Sequence, residues 1–141
     1  MILPDLNILI YAYHPGSVYH AQAKQWWHEA VNSGRSIGLP WVVILGFIRL
    51  TTNKAVMAQP CSIAEATSRV AEWLNQPNIT VLNPGPDHAS IFFKVLEEYG
   101  TATNFTTDAH LAALALEYRA ELITRDNGFA QVSKLRFSSP F

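Results

Sequence analysis

The sequence predicts an α/β fold built on a mainly parallel sheet. Two patterns along the chain and one placement of charge carry that expectation. Short apolar segments alternate with helical segments of roughly 10–15 residues, the signature of strand–helix–strand units. Pro, Gly, Asn and Ser punctuate the joins. Aspartates fall at the ends of apolar strands, and parallel sheets place their sites at the carboxyl ends of strands.

In chain order, Met1-Ile2-Leu3-Pro4 reads as a short strand ending at Asp5. Leu6 to Tyr13 follows as a helix, stopped by His14-Pro15-Gly16. Ser17 is placed to cap a helix from about Val18 to Ser33, with Gly34 just past its end. Ser36 to Leu39 is short enough for a buried strand, and Pro40 suits the first turn of a helix from Trp41 to about Asn53. Ser62-Ile63-Ala64-Glu65 has capping-box spacing and starts a helix to Asn75. Ile79 to Leu82 is a strand, Asn83-Pro84-Gly85-Pro86 a turn, and Asp87 caps a helix that ends at Gly100. A loop over 101–106 leads to a helix from Thr107 to about Tyr118 that is apolar on almost every side, so it belongs in the core. Glu121 to Thr124 is a strand ending at Arg125-Asp126, and Leu135 to Phe137 forms the last strand.

A chain of 141 residues suits one domain around one core. Its 49% hydrophobic content exceeds what a disordered chain carries. The net charge of −1 provides no overall field to attract nucleic acid or anionic membrane, so a nucleic-acid partner needs a local basic patch or a metal. The single cysteine, Cys61, excludes an intrachain disulfide and suits a reducing cytosol. No base lies near it in sequence to make it a nucleophile. The first apolar run is cut by Pro4 and Asp5 and lacks a basic start, unlike a signal peptide, and no run is long enough for a membrane span. There is no Ser–His–Asp order, no paired-cysteine metal motif and no glycine-rich phosphate loop.

Three of the four aspartates converge by length alone. The helix from Asp108 to Tyr118 runs out roughly 16 Å. The strand from Glu121 to Asp126 returns roughly 17–20 Å. Asp108 and Asp126 therefore reach one level, and a parallel first strand delivers Asp5 there. Asp87 follows Gly-Pro and stays apart as a helix cap. Clustered carboxylates repel and take up protons unless a cation neutralises them. Mg²⁺ or Mn²⁺, hard ions that prefer oxygen, is the economical partner. Such an ion shared with a substrate phosphate makes phosphodiester hydrolysis the natural chemistry. Taken singly, Asp108 could merely complement a helix dipole and Asp126 an ordinary turn. Asp5, between an apolar strand and an apolar helix, is harder to explain as structural.

Ile-Leu-Pro-Asp5-Leu-Asn7, Asn104-Phe-Thr-Thr-Asp108-Ala-His-Leu-Ala and Leu-Ile-Thr124-Arg-Asp126-Asn-Gly-Phe129 stand in this order. Together they resemble the three motifs of PIN-domain ribonucleases, specifically the VapC-type toxins of toxin–antitoxin systems. The resemblance spans essentially the whole chain, 1–141, as a single PIN-like domain. It implies a three-layer α/β/α fold, divalent-metal-dependent cleavage of RNA in the cytoplasm, a homodimer and a cognate antitoxin partner. It implies Asp5 and Asp108 as principal metal ligands and Asp126 as a further one. It implies Asn7, Asn104 and Thr124 as groups that orient the carboxylates.

The chain departs from the common pattern at Gly46, where many such toxins carry a glutamate. Glycine brings no ligand and costs about 1 kcal/mol against alanine in a helix. Three explanations compete: three aspartates suffice, with water or substrate in the vacancy; the metal binds weakly; or the chain is an impaired module that only binds antitoxin or RNA. Arg49, one turn later, contacts RNA phosphate or forms an internal ion pair; with Gly46 leaving room beside it, the RNA-facing reading is preferred. Lys54, Arg125, Lys134 and Arg136 are further phosphate candidates if they share a face. His110 points roughly 200° away from Asp108 around a helix, which favours packing over ligation. Tyr11, Tyr13, Trp26 and Trp27 read as core or partner interface.

Overall fold

The computed structural model describes residues 1–100 and 104–141. The elements run β1 (Ile2–Pro4), α1 (Leu6–Tyr13), α2 (His20–Asn32), β2 (Ile37–Pro40), α3 (Trp41–Thr51), α4 (Ile63–Leu74), β3 (Ile79–Leu82), α5 (His88–Tyr99), α6 (Thr106–Glu117), β4 (Glu121–Ile123) and β5 (Phe137–Ser138). A 3-10 turn, Asn127–Gln131, lies between the last two strands. The expected loop 101–106 falls partly outside the described residues.

All strand pairs are parallel, in the order β3-β2-β1-β4-β5. With helices on both faces this is a three-layer α/β/α fold. The order contains the decisive feature. From β1 the chain moves outward to β2 and β3, then crosses back to β4 and β5. Crossovers in opposite directions, each right-handed, put their helices on opposite faces of the sheet. The crevice between β1 and β4 is the point where the order reverses, the standard place for a ligand in an open parallel sheet.

Local signals explain the element ends. Ser62 accepts the Glu65 amide at 3.1 Å, as the capping-box spacing predicts. Gly34 and Gly100 adopt φ of +75° and +74° just past α2 and α5, where a side chain would be strained. Other signals misled. Asp87 makes no capping hydrogen bond through its side chain. Ser17 accepts the Tyr19 amide in a turn, and α2 starts only at His20. The last strand, Phe137–Ser138, begins two residues later than expected and ends one later.

β1 and β2 are buried throughout. On α6, Ala109 and the unbroken run Leu111 to Ala115 are buried, which confirms it as a core helix. Alanine on most of these positions lets neighbouring backbones approach closely. The same core extends between α1, α2, α3 and α4, where Trp27, Trp73, Phe47 and Tyr13 pack edge to face. The Trp73 indole N–H donates to the Tyr13 hydroxyl at 2.8 Å, satisfying the one polar atom of a buried ring.

Candidate active site

Strand register builds the site. Ile2, Leu3 and Pro4 pair with Glu121, Leu122 and Ile123, so Asp5 stands level with Thr124. The Asp5 amide donates to the Ile123 carbonyl at 2.9 Å, extending the pairing by one step. The Thr124 hydroxyl then donates to Asp5 Oδ2 at 2.7 Å. Both side chains are buried. Burial pushes the Asp5 carboxyl above its ordinary value and Asp126 pushes it further, while the Thr124 hydroxyl and the Leu6 and Asn7 amides act the other way.

Asp108 enters from the first turn of α6. It shares with Asp5 a small cleft of about 130 Å³, lined also by Leu6, Asn7, Val42, Val43, Thr107 and Leu111. The Asp108 carboxyl is raised to about 6, chiefly by burial, then by the charges of Asp5 and Asp126. Two acids held together on apolar walls are the arrangement a hard divalent cation relieves. Among the described residues no three His, Cys, Asp or Glu side chains form a ready cage. The two carboxylates supply oxygen donors, the ligand type that hard divalent cations prefer.

Asp126 arrives at the same sheet edge but does not line the cleft. Its amide donates to Thr124 Oγ1 at 3.0 Å, and its Oδ1 accepts the Gly128 amide at 2.7 Å, capping the 3-10 turn. Its charge still bears on Asp5, Asp108 and Tyr99. Asn7 lines the cleft; Asn104 is exposed in the turn before α6 and does not. Arg49 is exposed in the last turn of α3, with no hydrogen bond or ion pair among the described residues. The room expected beside it does not exist. Gly46 is buried, and a Cβ there would lie 2.5 Å from Leu6 Cδ2. Leu6, the residue between the two motif positions Asp5 and Asn7, fills the space that a side chain at 46 would need.

His110 takes the packing role. Its Nδ1 meets His88 Nε2 at 2.9 Å, and His88 Nδ1 meets Glu117 at 3.1 Å, a chain between α5 and α6 away from the cleft. Arg125 turns from the site edge to stack over Tyr19 and Phe141. Residues that the sequence did not single out include Thr107 and Leu6 in the cleft wall and Tyr99 beneath the Asp126 turn. Thr107 and Leu6 adjoin motif aspartates and could have been found by adjacency.

The fold and site define a parallel α/β protein with a carboxylate centre at its topological switch point. The PIN domain model matches residues 2–135, and the chain belongs to the PIN domain family. It is 41% identical to "Ribonuclease VapC33" of Mycobacterium tuberculosis over 99% of this chain and 98% of that protein. It is 35% identical to "Ribonuclease VapC37" of the same organism, over 99% and 97%. Among solved structures it is similar in fold to VapBC2 from Rickettsia felis bound to a promoter DNA fragment. That match has a TM-score of 0.69 and 17% identity, covering 99% and 98% of the two chains. A toxin–antitoxin complex from Klebsiella pneumoniae matches with a TM-score of 0.66 and 24% identity, covering 100% and 98%.

Proposed function

We propose that this protein is a divalent-metal-dependent endoribonuclease toxin of the cytoplasm, neutralised by a cognate antitoxin. The observation that carries the reading is the buried Asp5 carboxylate, oriented by Thr124 and sharing a cleft with Asp108. The 41% and 35% identity, over nearly the full length, to proteins named VapC ribonucleases supports RNA as the substrate class. Asp5 and Asp108, which share the cleft, would hold the ion. Thr124 fixes the Asp5 carboxylate in one orientation, and Asn7 offers its amide at the cleft rim. Asp126 adds negative charge behind them. A bound Mg²⁺ or Mn²⁺ supplies neutralisation of the phosphate and activation of a water. Arg49, unpaired within the described residues and at the end of α3, is free to contact an RNA phosphate.

The antitoxin reading rests on a different surface. A groove of about 490 Å³ runs between α1, α2 and α4, with Tyr13, Trp27 and Trp73 in its floor and Lys24, His28 and Arg69 at its edge. With Glu72 also in its lining, the groove offers an apolar floor and a mixed-charge edge to a segment of the antitoxin. Trp41 and Leu45, exposed one turn apart on α3, suit a homodimer contact.

The test is cleavage of total bacterial RNA by purified protein with added Mg²⁺ or Mn²⁺, compared with Asp5→Asn and with chelated protein. Cleavage that needs the ion and disappears in Asp5→Asn is expected. Undiminished cleavage by Asp5→Asn overturns the mechanism. A second reading, a module that binds without cleaving, is favoured by Leu6 closing the place of a fourth acid. It predicts growth-neutral expression and no cleavage at any ion concentration.

A further inference from the structure

Tyr99, the last residue of α5, has no place in the motifs, yet it touches the segment that carries Asp126. Its hydroxyl donates to the Gly128 carbonyl at 2.5 Å. The Gly128 amide in turn donates to Asp126 Oδ1 at 2.7 Å. Gly128 is thus held on one side by Tyr99 while it holds the Asp126 carboxylate on the other. The chain continues inward: the Asp126 amide to Thr124 Oγ1, and the Thr124 hydroxyl to Asp5 Oδ2. Four hydrogen bonds link the end of α5 to the buried acid of β1.

The turn needs such a tether. Asp126 and Asn127 are exposed, and Phe129 is the buried residue of the five in the 3-10 turn. Tyr99 is fixed from behind by stacking on Phe105, which also meets Phe129. Phe105 immediately precedes α6, so one aromatic bracket spans the end of α5, the start of α6 and the Asp126 turn. Gly128 leaves little room for a side chain: a Cβ there would sit 3.0 Å from both Asp126 Oδ1 and Tyr99 Oη, so those oxygens would have to give way slightly. Burial and the charges of Asp126 and Asp108 push the phenol further above its already high ordinary value.

We propose that Tyr99 is a positioning residue for the metal site, acting through Gly128 to hold the Asp126 carboxylate beside the Asp5–Asp108 cleft. This rests on the reading of Asp126 as part of that site, so both are tested together. Tyr99→Phe removes the hydroxyl and keeps the ring stack. Mn²⁺ affinity is read by calorimetry without RNA, alongside kcat and KM for RNA cleavage and the melting temperature.

The expected result is Mn²⁺ binding weakened about 10-fold, the low end for losing an outer partner of a metal site. kcat falls while KM for RNA stays, and Tm moves by less than about 5 °C. In an Asp126→Asn background, Tyr99→Phe has no further effect. Wild-type Mn²⁺ binding by Tyr99→Phe, with Asp126→Asn impaired, overturns the role of Tyr99 and leaves the site reading intact. Additive losses in the double variant also overturn it. Wild-type binding and cleavage by Asp126→Asn overturn the reading of Asp126 itself. Gly128→Ala displaces the same two oxygens by another route and is expected to reproduce the Tyr99→Phe phenotype. Its matching wild type in Mn²⁺ binding counts against the relay even if Tyr99→Phe fails to fold.

Discussion

Asp108→Asn is expected to make the metal-free protein more stable at neutral pH while abolishing cleavage. In the folded chain the Asp108 carboxyl titrates near 6, against an ordinary value of 3.8. Between those values the folded state binds more protons than the unfolded one, so stability falls as pH rises through the window. The full difference corresponds to about 3 kcal/mol at neutral pH, at about 1.36 kcal/mol per pKa unit. Asp108 is only partly buried, and solvent screening reduces this to about 1–2 kcal/mol. Asparagine also forgoes the favourable placement of a charge in the first turn of α6, worth about 0.5 kcal/mol. A net gain of about 1 kcal/mol remains, or roughly 3–5 °C in Tm for a chain of this size. Urea unfolding in chelator at pH 7.5 and pH 4 measures it. The gain should be present at pH 7.5 and absent at pH 4, where the wild-type carboxyl is protonated in the fold. A variant no more stable than wild type at pH 7.5, or a gain equal at both pH values, refutes the argument that the fold disfavours the Asp108 carboxylate, chiefly through burial and then through the charges of Asp5 and Asp126.

Two further outcomes follow from neighbouring contacts. Thr124→Val removes the hydroxyl that favours ionised Asp5 and leaves the Asp126 amide without its acceptor; cleavage should fall about 10–100-fold. The acid limb of its pH–rate profile should move to higher pH, because the folded Asp5 carboxyl rises further, and an unmoved limb would remove Thr124 from the site. Gly46→Glu requires the Leu6 side chain to swing aside, and Leu6→Ala is expected to relieve that displacement. Urea unfolding of the two single variants and the double variant should reveal a favourable coupling above about 0.5 kcal/mol, whereas additivity would show that Leu6 is not the obstacle.

Much of the candidate site's placement was legible before the fold. Asp5 stood out because a carboxylate between an apolar strand and an apolar helix has few structural uses. Asp108 stood out because a charge at the mouth of a core helix needs a partner. The return distance from Asp108 to Asp126 followed from the fixed rise of helix and strand. Each of these is a local property: periodicity, capping and reach depend on residues within a few positions of one another. The same locality failed at Asp87, where the backbone is helical (φ −92°, ψ 0°) rather than extended as at a cap, and the side chain makes no capping hydrogen bond.

What the sequence determined by itself was the α/β class, the position of nearly every helix and the delivery of three aspartates to one edge. Tertiary structure decided what those aspartates became. Strand order put β1 beside β4, and that pairing set Asp5 against Thr124, 119 residues away. Packing put Leu6 over Gly46, closing a gap that looked open. Tyr99 met Gly128 across 29 residues and gave Asp126 its anchor. None of these contacts leaves a periodic trace, because each depends on how separate elements dock and not on the spacing within any one of them.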